Sequence, residues 1–125
     1  NIGGPCEAAE VIRSLIGDSP SEQVVVIHLN TAGSVIAAEC IARGGVASAC
    51  FSVGEVFRSA IIRGTHSVIL GHNHPSGSLD ASSEDIRITN ELVAASKLVG
   101  VTVLDHIIVS RSGFSSVMAQ GEIKS

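Results

Sequence analysis

The chain has no tryptophan and no tyrosine, and only three phenylalanines in 125 residues. An aromatic-centred core is excluded. With 45% hydrophobic residues, the core must come from Val, Ile, Leu and Ala, in one domain large enough to bury it. Basic residues are also few: 8 Lys and Arg against 12 Asp and Glu, a formal charge of −4. They are scattered, with no Lys/Arg run, so the electrostatic footprint of a nucleic-acid surface is missing. Cys6, Cys40 and Cys50 are odd in number and fit no zinc-ligand spacing. They read as buried or free thiols of a reducing cytoplasm, not as a disulfide framework. There is no signal peptide and no apolar run of about 18 residues, which leaves no candidate membrane helix. Internal repeats and low-complexity segments are lacking too. The first residue is Asn1 rather than Met, which suggests a piece of a longer protein.

One stretch organises the rest: His72-Asn73-His74-Pro75-Ser76-Gly77, followed by Ser82 and Asp85. The two histidines stand where the apolar run Ser67-Val68-Ile69-Leu70 ends. On a strand, residues i and i+2 point to the same side, so both imidazoles can reach one point. Pro75, Ser76 and Gly77 turn the chain, and Asp85 opens a segment of helical spacing. Two neutral imidazoles and a carboxylate suit Zn²⁺ in a catalytic site, with a fourth position left for water. Plainer readings exist. A His-x-His pair at a strand end can be an ordinary surface feature. Ser82-x-x-Asp85 resembles a capping box, with Ser82 as N-cap. The cap and the metal reading are compatible, because a cap that holds the first turn also sets where Asp85 points.

Around this stretch the patterning alternates between helix and strand. Pro5 can start a helix carrying Ala8, Ala9, Val11, Ile12, Leu15 and Ile16 at helical spacing up to Gly17, with Asp18 to Ser21 as a linker. Val24 to Leu29 is a continuous β-branched run, the mark of a buried central strand. Asn30 to Gly33 predicts a hairpin turn, Val35 to Ala42 its return strand, Gly44-Gly45 a break, and Val46 to Phe51 another short strand. Gly54 to Arg63 predicts a helix ended by Gly64. Ser67 to Gly71 predicts the strand that delivers the histidines. Ser82 to Leu98 predicts a long helix with an apolar face through Ile86, Ile88, Leu92, Val93, Ala95 and Leu98, stopped at Gly100. Val101 to Val109 predicts a strand around Asp105-His106, and Phe114 to Met118 a strand pairing back on it. The sum is an α/β fold, a mixed sheet flanked by helices.

The pattern His-x-His, seven residues, Ser, two residues, Asp resembles the JAMM motif of MPN+/JAMM metalloprotease domains. The flanking residues His72 to Gly77, Glu84-Asp85-Ile86, Asp105 to Val109 and Glu55-Val56-Phe57 are similar to those of the bacterial RadC family. The similarity runs from about Pro20 to Gly121, nearly the whole chain. It implies the cytidine-deaminase-like/MPN (JAMM) fold over residues 20–125, preceded by a helix and linker at 1–19, with a helical region further upstream in RadC-like proteins. One departure is Leu79-Asp80-Ala81, where RadC-like chains usually place a proline before the motif serine; this loosens the loop and spares the ligands.

The resemblance implies a Zn²⁺ held by His72, His74 and Asp85, a glutamate that takes a proton from the attacking water, and a serine, Ser82, that hydrogen-bonds the developing oxyanion. The glutamate is Glu22 or Glu55. Glu55 sits in the first turn of a helix, where an acid is explained by the macrodipole alone. Glu22 sits at the start of the first buried strand, 50 residues ahead of His72, the place of the family's base, and is the residue chosen here. Asp105 and His106 fit two readings, as partners that hold a ligand histidine or as a structural strand pair. His28 and His66 read as structural or solvent-facing.

The leading functional reading is a zinc metallohydrolase of the peptidase or isopeptidase type, acting on a peptide or protein substrate in the cytoplasm. Relatives with this motif act on ubiquitin-like tails and sulfur carriers. The alternative is a metal-binding module that recruits partners in DNA repair without turnover, since RadC-like proteins are associated with repair. A nuclease would need more carboxylates for a two-metal site. The complete ligand set with an available Glu22 favours the enzyme. No direct nucleic-acid binding and no membrane attachment are expected, and a homo-oligomer is compatible with the sequence.

Overall fold

The computed structural model describes residues 2–43 and 52–120. The predicted strand Val46 to Phe51 lies outside them. Among the described residues nine elements follow in order: α1 (Pro5–Ile16), β1 (Gln23–Leu29), β2 (Val35–Arg43), α2 (Val53–Arg63), β3 (Ser67–Asn73), α3 (Ser83–Val99), β4 (Thr102–Ser110), β5 (Gly113–Ser116) and α4 (Val117–Gln120). The five strands form one mixed sheet in the order β2-β1-β3-β4-β5. Only β3 and β4 are parallel, joined by the α3 crossover; the other pairs are antiparallel.

The β-branched run of β1 is central, as its pattern predicts, because both sheet faces are covered. On one face Val24, Val26, Val68, Leu70 and Val103 pack against Val56, Phe57 and Ala60 of α2 and Ile88, Leu92 and Val93 of α3. On the other, Val25, Ile27, Ile69, Ile107 and Val109 pack against Ala8, Ala9, Ile12 and Ile16 of α1. The β1–β2 hairpin closes as predicted around Asn30, whose Oδ1 accepts from the amides of Ala32 and Ser34, both at 3.0 Å. His28 is a buried structural residue: its ring nitrogens bond Thr65 Oγ1 at 2.9 Å and Glu39 Oε1 at 3.0 Å. His66 is exposed.

Two predicted elements differ. The strand expected over Phe114 to Met118 stops at Ser116, and Val117–Gln120 is helical. Ser116 Oγ accepts from the Ala119 amide at 3.1 Å and donates to Asp105 Oδ1 at 2.7 Å. This local cap turns the chain despite the β-propensity of Val117. The buried stripe of α3 also differs: it runs Asp85, Ile88, Thr89, Leu92 and Val93, while Leu98 is 89% exposed. Thr89, a polar residue outside the predicted apolar face, holds an inward position beside the expected Asp85, and both belong to the site below. The helix stops at Gly100, where φ is +76° and the amide bonds Ser96 O.

Candidate metal centre

β3 runs two residues further than its apolar pattern predicts, through His72 and Asn73. His74 continues the ladder by one more bond, its amide donating to Val109 O at 2.9 Å. Strand alternation therefore sets both imidazoles on the α2/α3 face, with His72 Nε2 and His74 Nε2 2.8 Å apart. His74 Nδ1 donates to Ser78 O at 3.0 Å. A carbonyl can only accept, so in the neutral ring Nε2 carries a lone pair.

α3 aims its N-terminus at the same point. Ser82 is its N-cap: Oγ accepts from the Asp85 amide at 3.1 Å, and Asp85 Oδ2 accepts from the Ser82 amide at 2.9 Å. The capping box fixes the Asp85 carboxylate, which is 1% exposed. Oδ1 lies 3.3 Å from His72 Nε2, and Oδ2 lies 3.4 Å from His74 Nε2. Oδ1 is nevertheless buried with no hydrogen-bond partner. Burial would push the Asp85 carboxyl up, but the His72 and His74 contacts and the Ser82 amide outweigh it and hold the group well below the ordinary carboxylate range. The Asp85 contact in turn raises His74, against its burial.

Behind His72 the structure brings together residues from two more elements. His72 Nδ1 and His106 Nε2 are 2.7 Å apart, and His106 Nδ1 and Thr89 Oγ1 are 2.6 Å apart. Thr89 Oγ1 donates to Asp85 O at 2.7 Å. A register slip between β3 and β4, with Val68 opposite Val103 but Ile69 opposite Asp105, lets Val103 and His106 face the same side three residues apart. Complete burial pushes His106 well below the ordinary histidine range. Asp105 does not reach the ligands; its Oδ1 takes the His106 amide and Ser116 Oγ.

Glu22 is carried in by strand pairing. Val24 of β1 lies opposite His72 of β3, so the residues just before β1 meet the end of β3. Glu22 Oε1 is 3.9 Å from His72 Nε2, on a side chain 34% exposed. Glu22, His72, His74 and Asp85 each offer a donor atom within 4.8 Å of the others, a group that can hold a metal ion. Glu55 is elsewhere: its amide is capped by Ser52, and it lines an open groove with Glu39, Arg58 and Arg63.

Asn73, the middle residue of the motif, was not singled out by sequence. Pointing to the opposite face, it accepts from the Gln23 amide at 2.7 Å and donates to Ser21 O at 3.0 Å and Ser19 O at 3.3 Å. It anchors the segment that carries Glu22. Strand alternation is the signal that could have found it. Asn73→Ala should destabilise the fold by about 1–3 kcal/mol, because it removes three hydrogen bonds made by a buried side chain. Urea unfolding at unchanged slope measures this, and an unaltered midpoint would remove Asn73 from the account. The loop beyond His74 is tied despite its missing proline. Ser115 Oγ donates to Leu79 O, and Arg111 donates to Pro75 O and Ser76 O. Gly77, at φ +93°, leaves room for that guanidinium, which a Cβ would meet at 2.8 Å.

Comparison with known proteins agrees with this architecture. The model of the RadC-like JAB domain matches residues 2–122. The chain belongs to the RadC-like JAB domain family. A UPF0758 protein of Carboxydothermus hydrogenoformans is 39% identical over 96% of this chain and 53% of its own length. A UPF0758 protein of Symbiobacterium thermophilum is 44% identical over 80% of this chain and 43% of its own length, and one of Salinibacter ruber is 38% identical over 95% and 51%. The chain thus spans about half the length of these relatives. The mixed sheet with flanking helices is consistent with a JAB/MPN-type domain, the fold class expected from the sequence.

The site of this RadC-like JAB domain suits a cation. Two imidazole nitrogens, one of them bearing the His74 lone pair, face each other at 2.8 Å, and a buried carboxylate oxygen beside them has no partner. A bare arrangement of this kind is electrostatically costly unless a proton or a cation lies between the donors. Two imidazoles with a carboxylate are the donor set of catalytic zinc.

Proposed function

We propose that this domain is a zinc-dependent hydrolase of amide bonds in peptides or proteins, of the JAMM type. The observation that carries this reading is the convergence of the Nε2 atoms of His72 and His74 and the unpartnered Asp85 Oδ1 on one point. His72, His74 and Asp85 would hold the metal, which when bound polarises a carbonyl and acidifies water.

The protein's own residues do the rest. Glu22, on the solvent side of the buried ligands, takes the proton of the attacking water and returns it to the leaving amine. Ser82 Oγ already accepts the Asp85 amide, so its hydroxyl hydrogen is free to donate to the developing oxyanion. The cap makes that serine rigid, and rigidity is what a preorganised donor needs. Cys6 and Cys40 are free and exposed, which supports a reducing, cytoplasmic setting. Among the described residues no helix is long and apolar enough to cross a membrane.

Hydrolysis of a panel of peptide and isopeptide substrates tests the proposal. Activity should vanish on chelation and return with Zn²⁺. Hydrolysis that survives full chelation would end it. A repair module that grips DNA directly is disfavoured by charge, 8 basic residues against 12 acidic. Fluorescence anisotropy at physiological salt should show only non-specific affinity for duplex DNA, about 10⁻⁴–10⁻⁶ M. Submicromolar binding with a steep salt dependence would instead promote the repair-module reading.

A further inference from the structure

We propose that Thr89 and His106 are positioning residues that decide which nitrogen of His72 carries the proton, and so whether His72 can ligate a metal. The inference rests on the metal reading above. It starts from an unusual partner. A ligand histidine ordinarily donates its second N–H to a carboxylate, a carbonyl or water, groups that accept whatever their state. His72 meets another imidazole instead, with Nδ1 2.7 Å from His106 Nε2. A neutral imidazole accepts at one nitrogen and donates at the other, so His106 can serve His72 only if its own proton is on Nδ1.

Thr89 supplies that condition. Its hydroxyl has one hydrogen, which goes to Asp85 O at 2.7 Å. The second short contact, 2.6 Å to His106 Nδ1, is then a hydrogen bond only if His106 donates. The direction passes along the chain: His106 Nδ1–H to Thr89, His72 Nδ1–H to His106 Nε2, and the lone pair of His72 Nε2 towards the metal point. The order matters because a competing arrangement lies close by. If the chain ran backwards, His72 Nε2 would carry the hydrogen and could give it to the lone pair of His74 Nε2, 2.8 Å away, or to the unpartnered Asp85 Oδ1, 3.3 Å away. The site would then satisfy itself and close to metal. The reverse costs the Thr89 bond to Asp85 O, which is what holds the chain in the metal-ready sense. All these atoms are buried: His72, Thr89 and His106 are each 0% exposed, so water cannot stand in.

Zn²⁺ titration of metal-free protein against a chromophoric chelator, with ring ¹⁵N–¹H correlation spectra, tests this. Thr89→Val keeps the shape and removes the hydroxyl. It should weaken zinc binding about 10- to 100-fold, the usual size of an outer-shell effect, and move the His106 proton to Nε2. Thr89→Ser should restore both. In the wild type His106 should carry its proton on Nδ1. A Thr89 with a merely structural role would lower the melting temperature in the Val variant and leave the zinc affinity unchanged, which overturns the proposal, as does an Nε2 proton on wild-type His106. If Thr89→Val fails to fold, His106→Gln and His106→Leu decide. Gln accepts from His72 and donates to Thr89, so it should keep zinc, whereas Leu should lose it; equal affinities overturn the relay. Wild-type protein that binds no zinc would sink the metal reading alone, because the ring spectra of metal-free protein still report the direction of the chain.

Discussion

Glu22→Gln should leave the metal content at the wild-type level and lower amide hydrolysis about 10²- to 10⁴-fold, the usual contribution of a positioned general base. Gln keeps the size of the side chain and removes its ability to take a proton. The metal should stay because His72, His74 and Asp85 are buried or nearly so and converge without it, while Glu22 stands at the rim, 3.9 Å from His72 Nε2. The matched control is Glu55→Gln. Glu55 is exposed in the first turn of α2, so its loss should cost only a macrodipole contact, about 0.3–1 kcal/mol, and leave turnover unchanged. Parallel measurement of bound zinc and of turnover separates the outcomes. Loss of metal in Glu22→Gln would make Glu22 a ligand rather than a base. A collapse of turnover in Glu55→Gln would reverse the assignment of the base.

Asp85→Asn should abolish the stabilisation that zinc confers. Asn can still accept from the Ser82 amide, so the capping box and the first turn of α3 survive, but the anionic donor is gone. In the wild type, free zinc at about one hundred times its Kd should add about 2.7 kcal/mol to the unfolding free energy. In Asp85→Asn at the same zinc concentration the gain should be close to none. Thermal unfolding with and without zinc reads this directly. Asp85→Ala is a poorer probe, since it also removes the capping partner, which costs about 1 kcal/mol by itself. If zinc stabilises the Asp85→Asn variant as strongly as the wild type, Asp85 leaves the ligand set.

Where the sequence was informative, one rule of local geometry was enough. Strand alternation set His72 and His74 on one side, and the Ser82-x-x-Asp85 spacing announced the cap that aims Asp85. The continuous apolar run of β1 announced burial on both faces. Where it fell short, the missing information was tertiary. Nothing in the spacing of Asn73 says that its amide will tie down Ser19 and Ser21, because that depends on how the linker before β1 crosses the end of β3. The chain from His72 through His106 to Thr89 draws on three elements and a register slip in β4 that no periodicity marks. Thr89 completes the inward stripe of α3 without marking any apolar periodicity, and Leu98, apolar and at helical spacing, lies past the packed turns and is exposed. Ser116 overrode the strand propensity of Val117 and Met118 by the same kind of local polar bond. For Glu22 the decisive fact, the pairing of Val24 with His72, is again a matter of register.

The central claim is that His72, His74 and Asp85 hold a zinc ion. The most direct test is elemental analysis of protein purified without a histidine tag, comparing the wild type with the double variant His72→Ala, His74→Ala after equilibration with Zn²⁺ and removal of excess metal. The account expects one zinc per chain in the wild type and none in the double variant. Stoichiometric zinc surviving in the double variant, or none in the wild type, would contradict it.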